Sequence, residues 1–154
     1  MPSLNYTTAF NRYKAKLDNP NWAVSAISAD GALVISCWEQ YFERPADGVL
    51  RYVDSLSRWN GSNRAGWNLL RRHLEMTLAG KLEVRLVLAK TDNPTAVAKG
   101  GDASKLNNTF SIREDLIGRL THYDGDRFTI EFRKSLQSPD NYLSHALADA
   151  KLKG

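Results

Sequence analysis

The chain has 154 residues, 42% of them hydrophobic and 25% charged, with a formal net charge of +4. That length suits one domain of the usual ~100–200 residues, and the apolar fraction can close a core, which excludes wholesale disorder. No run nears the ~18 apolar residues of a membrane span, Met1–Asn5 has no charged region feeding an apolar one, and the lone Cys37 forms no internal disulfide or cysteine zinc cage, so the sequence predicts a cytoplasmic protein with no membrane partner.

In chain order, Tyr6, Phe10, Tyr13 and Leu17 recur at helical spacing and predict an amphipathic helix that Asp18-Asn19-Pro20-Asn21 ends. Two β-prone runs follow, Trp22–Ser28 and Ala32–Tyr41, joined by Ala29-Asp30-Gly31, whose glycine accepts the positive φ of a hairpin turn. Glu43–Gly48 breaks the pattern. Val49, Tyr52, Val53, Leu56 and Trp59 are spaced for a helix over Val49–Trp59, although their β-branched content argues partly for a strand. Asn60–Asn63 reads as a turn with a capping side chain.

Arg64–Ala79 is the clearest helix, with Trp67, Leu70, Leu74 and Leu78 on one stripe and Ala65, Leu69 and Met76 on a second face. Gly80 stands where a left-handed cap is wanted. Lys81–Lys90 alternates, placing Leu82, Val84, Leu86 and Leu88 on one face and Glu83 and Arg85 on the other, as in a half-buried strand of an antiparallel sheet. A long loop is predicted at 91–108, and Phe110–Leu120 is mixed. His122–Arg127 forms a second hairpin turn, feeding a strand with Phe128, Ile130 and Phe132 inward. Ser138-Pro139-Asp140 opens a C-terminal helix at 139–152. The prediction is a single α+β domain over 1–154, an antiparallel sheet of about four to six strands packed on about two to four helices as a single pair of layers.

Charge is unevenly distributed. Residues 51–90 hold eight bases against three acids, which is more than the whole net charge, and six of those bases are arginine, whose planar fork fits phosphate oxygens and guanine edges. Within that stretch, Arg58–Trp67 gathers two arginines, two tryptophans and short polar side chains ahead of a helix N-terminus, where unpaired N–H groups attract phosphate. The same tryptophans also suit core positions, and Glu75 is spaced to pair with Arg71. Lys99–Lys105 is glycine-rich but lacks the spacing of a nucleotide-triphosphate loop, so it reads first as a solvated, disordered loop and, as the alternative, as a loop whose two lysines contact a nucleic-acid backbone.

These observations predict a non-catalytic nucleic-acid-binding domain, DNA favoured over RNA, that uses no cofactor or metal. Arg58, Arg64, Arg71 and Arg72 would meet phosphates or base edges, Trp59 would stack, Asn60 and Asn63 would hydrogen-bond, and Arg85 with Lys105 would extend the footprint. One alternative is a Mg-dependent nuclease using Asp124, Asp126 and Glu131, although Arg133 cannot give up a proton as a lysine there would. Another is a homodimeric interaction subunit whose contact is the Leu69 and Met76 side of the central helix. His73, His122 and His145 fall in no metal-ligand pattern, and Cys37, with no cation beside it in sequence, reads as an inert buried thiol.

Overall fold

The computed structural model describes residues 4–59, 63–98 and 108–134. The elements run α1 (Tyr6–Arg12), β1 (Ser25–Ile27), β2 (Leu33–Trp38), β3 (Phe42–Ala46), β4 (Val49–Ser55), α2 (Arg64–Gly80), β5 (Glu83–Thr91), α3 (Pro94–Ala98), β6 (Asn108–Ile112), β7 (Leu116–Tyr123) and β8 (Arg127–Lys134). Short 3-10 turns at Glu39–Tyr41 and Leu56–Trp59 follow β2 and β4. The C-terminal helix expected at 139–152 lies outside the described residues.

All strands among the described residues join one eight-stranded sheet in the order β1-β2-β5-β7-β8-β4-β3, with β6 paired to β5. This corrects the expected antiparallel sheet of four to six strands, for β2 and β5 run parallel, Leu33 beside Val84 through Trp38 beside Ala89. It also corrects the single pair of layers. Leu33, Ile35, Val84 and Leu86 face α2 together with Tyr52, Phe128, Ile130 and Phe132, while Val34 and Val87 face α1 through Phe10 and Tyr13. A central parallel pair buried on both faces needs cover on each, and the four apolar residues Leu86–Ala89 in a row are its sequence signature. Each fully buried Phe or Ile of β8 contributes about 1.5–3 kcal/mol.

The missed strands have identifiable causes. The break at Glu43–Gly48 is β3 and the turn into β4. Pro45 is tolerated because β3 is an edge strand, where its absent N–H leaves no ladder bond unmade. Val49–Trp59 imitates a helix because a strand changes to a 3-10 turn inside it. Tyr52 is brought inward by the pleat, Leu56 and Trp59 by the turn. Pairing with β3 on one side and β8 on the other decides for strand. The first helix stops at Arg12 rather than reaching Leu17, which is buried beyond it in irregular chain. No helix among the described residues is long and apolar enough to cross a membrane.

The start of α2 is fixed by Asn63, whose Oδ1 accepts from Gly66 N–H (3.1 Å) while its Nδ2 donates to the Trp22 carbonyl (2.9 Å). A Cβ at Gly66 would fall on that carbonyl oxygen and on the Asn63 amide. Gly66→Ala is therefore expected to destabilise by about 1–3 kcal/mol through overpacking, against the ~1 kcal/mol gain that helix propensity alone assigns to alanine. Urea denaturation gives the sign, and a stabilised variant would show that the junction opens freely.

Candidate functional site

The structure does not bring the predicted arginines onto one surface. Arg58 lies under the α2 entrance with only 14% of its side chain exposed, its Nε and Nη2 bound to Asp54 (2.7 and 2.9 Å) and its Nη1 to the Val97 carbonyl (3.2 Å). Trp59 is buried beside it, within cation-π range of its guanidinium, so its ring serves the core rather than an open stacking platform. Asn63 is spent on capping α2. Arg71 pairs with Glu75 (3.2 Å) over the Trp67 ring. Arg64 and Arg72 are exposed on α2. Asn60 and Lys105 fall outside the described residues.

The carboxylates proposed for metal binding are occupied by other work. Asp124 Oδ1 accepts from the backbone N–H groups of Asp126 and Arg127 in the β7–β8 turn, which hold its carboxyl below the usual carboxylate range. Asp126 accepts from the Ser57 N–H and hydroxyl, which ties that turn to the end of β4. Glu131 receives Arg51 (3.0 Å). Among the described residues no group of three His, Cys, Asp or Glu side chains could hold a metal ion.

Glu131 belongs to a feature that single-strand reading could not find. Strand register aligns Glu43, Arg51, Glu131, Arg119 and Glu83 in one row across β3, β4, β8, β7 and β5, with charge alternating at every step. Contacts of 3.9 Å (Arg51 to Glu43), 3.0 Å (Arg51 to Glu131) and 3.9 Å (Arg119 to Glu83) link it. The row largely neutralises this sheet face, opposite α2, but its last members enter a cleft where neutralisation stops.

That cleft, about 530 Å³, is walled by the end of α1, the β1–β2 turn, the junction of α2 with β5, and β7. Its bases are Arg12, Lys14, Lys81, Arg85 and Arg119, and its acids Asp30, Glu83 and Glu114. Among the described residues, Arg12, Lys14 and Lys81 form no ion pair, whereas Arg119 has Glu83 and donates to the Lys81 carbonyl (3.3 Å). Arg85, the one predicted site residue placed here, lies over the Tyr13 ring (4.9 Å from its centroid) and donates through Nη2 to the Glu114 carbonyl (2.9 Å). Its buried Nε has no acceptor among the described residues. Tyr13 is a rigid support, for its hydroxyl donates to the Leu86 carbonyl (2.7 Å) and accepts from Arg113 N–H (3.1 Å), and burial pushes its pKa up to about 12.

Two of the free cations are placed by an uncommon backbone. α1 and α2 each end with a lysine in the left-handed region, Lys14 at φ 60° and Lys81 at φ 53°. The next N–H closes each turn onto the helix, Ala15 to the Phe10 carbonyl and Leu82 to the Thr77 carbonyl. Glycine is the usual occupant of this position because a Cβ there costs about 1–2 kcal/mol. Gly80, expected as the cap, is the last helical residue instead. The sequence signal for this site was weak, since its cations come from three separate segments and Arg12, Lys14 and Arg119 lie outside the basic stretch.

The remaining predicted surface is also divided. Leu69 is buried in the cluster around Ala23 and Ala26, while Met76 and Leu78 are about half exposed. Compared with protein-family models, curated proteins and solved structures, the chain matches none of them.

Proposed function

We propose that this chain binds nucleic acid without catalysis, and that the cleft beneath α1 is where it holds the phosphate backbone. The observation that carries the reading is the convergence of Arg12, Lys14 and Lys81, which form no ion pair among the described residues, with Arg85 and Arg119 in one concavity. Such a cluster concentrates the positive field that a polyanion follows. DNA is favoured over RNA because the faces of β4 and β8 turned away from α2, where an RNA-recognition sheet carries stacking aromatics, hold Arg51, Val53, Thr129 and Glu131.

Fluorescence anisotropy with a labelled mixed-sequence oligodeoxynucleotide at two salt concentrations tests it. Binding at low salt should weaken steeply as salt rises, and Arg12→Ala with Lys81→Ala should weaken it about tenfold or more. Arg64→Ala with Arg72→Ala, on the flank of α2, should leave it nearly unchanged. Absence of binding at low salt removes the reading, and sensitivity confined to the α2 pair moves the site away from the cleft.

A further inference from the structure

We infer that the cleft receives a single unpaired nucleotide and prefers a base carrying an exocyclic amine, an inference that rests on the nucleic-acid reading above. A volume of about 530 Å³ falls within the ~300–1,000 Å³ of small-ligand pockets. That is room for one nucleotide, whereas a duplex keeps its bases stacked inside and could offer such a pocket only its outer phosphates.

The acids argue for the base. A site built for phosphate alone would be weakened by carboxylates, yet Asp30 and Glu114 line it, and neither has an ion-pair partner among the described residues. A nucleotide resolves the mixture because it is anionic at its phosphate and donates hydrogen bonds at its base edge. Carboxylates accept from the cytosine N4 amine, whereas thymine presents the O4 acceptor at the same place and is repelled. Lys14 and Lys81 supply phosphate contacts, and Arg85, held over the Tyr13 ring, offers a guanidinium of the kind on which bases stack.

The test compares labelled dC12, dT12 and a mixed-sequence 12-bp duplex, at pH 7.5 and low salt, by anisotropy. The expected order is dC12 tightest, dT12 about tenfold weaker, as for loss of a charge-assisted hydrogen bond, and the duplex weaker than dC12. Asp30→Asn with Glu114→Gln should bring dC12 and dT12 together without abolishing either. Equal binding of dC12 and dT12 by the parent protein, or a duplex bound as tightly as dC12, overturns the inference and leaves the nucleic-acid reading standing. Failure to bind any of the three overturns both. Discrimination that survives the double substitution also overturns it, because the carboxylates are then not the readers.

Discussion

Asp54→Ala is expected to lower the free energy of unfolding by about 3–5 kcal/mol, the usual result of breaking a buried ion pair from one side. Asp54 is 6% exposed and receives two bonds from Arg58, one from the Tyr52 hydroxyl (2.8 Å) and one from Ser55 N–H (2.7 Å). Removing it strands a guanidinium that also carries the Val97 carbonyl and the faces of Tyr41 and Trp59. The loss should come mainly from that stranded charge rather than from the attraction itself. Asp54→Ala combined with Arg58→Leu should therefore recover part of the stability, since apolar replacement of a buried pair is often close to neutral. Guanidinium denaturation of the parent and both variants measures this. A single substitution costing under about 1 kcal/mol would mean that water reaches the pair.

The second large effect separates function from stability at the helix ends. Lys14→Gly together with Lys81→Gly should raise stability by about 0.5–1 kcal/mol at each position, because glycine enters the left-handed region without Cβ strain. The same change should weaken oligonucleotide binding about tenfold or more and flatten the salt dependence by roughly 0.7 per lost phosphate contact on a single strand. Opposite signs in the two measurements are what strain retained at a binding site predicts. Substitutions that stabilise while leaving affinity intact would make both lysines ordinary helix-end cations.

Sequence patterns carried the local elements well where one physical cause dominated. The α2 stripe as far as Leu74, though not the half-exposed Leu78, the Asp-Gly turn at Gly31 and the β7–β8 turn at Gly125 are of this kind, both glycines standing at positive φ. The strand predicted at Phe128–Phe132 is likewise present as β8, with Phe128, Ile130 and Phe132 buried. Patterns misled where long-range pairing overruled the local period, as in β3 behind Pro45 and β4 within a helix-like spacing. The parallel pairing of β2 with β5 lies between segments far apart in sequence, so no window contains it. The same limit governed the site. Counting charge along the chain found Arg85 but combined it with Arg58, which is consumed by Asp54, and could not connect Arg12 and Lys14 to Lys81 and Arg119, which only the folded sheet brings around one cleft.

The seam between β2 and β5 also bears on how the chain is made. β2 acquires that neighbour only after β3, β4 and α2 have been synthesised, and β4 must wait longer for β8 at Arg127–Lys134. Pairings so distant along the chain close slowly. At the usual translation rate of about 5–20 residues per second, the apolar strand Leu33–Trp38 spends several seconds on the ribosome with one edge uncovered. The vulnerable moment for this topology is thus its birth, when strand-to-strand aggregation competes with arrival of the correct partner.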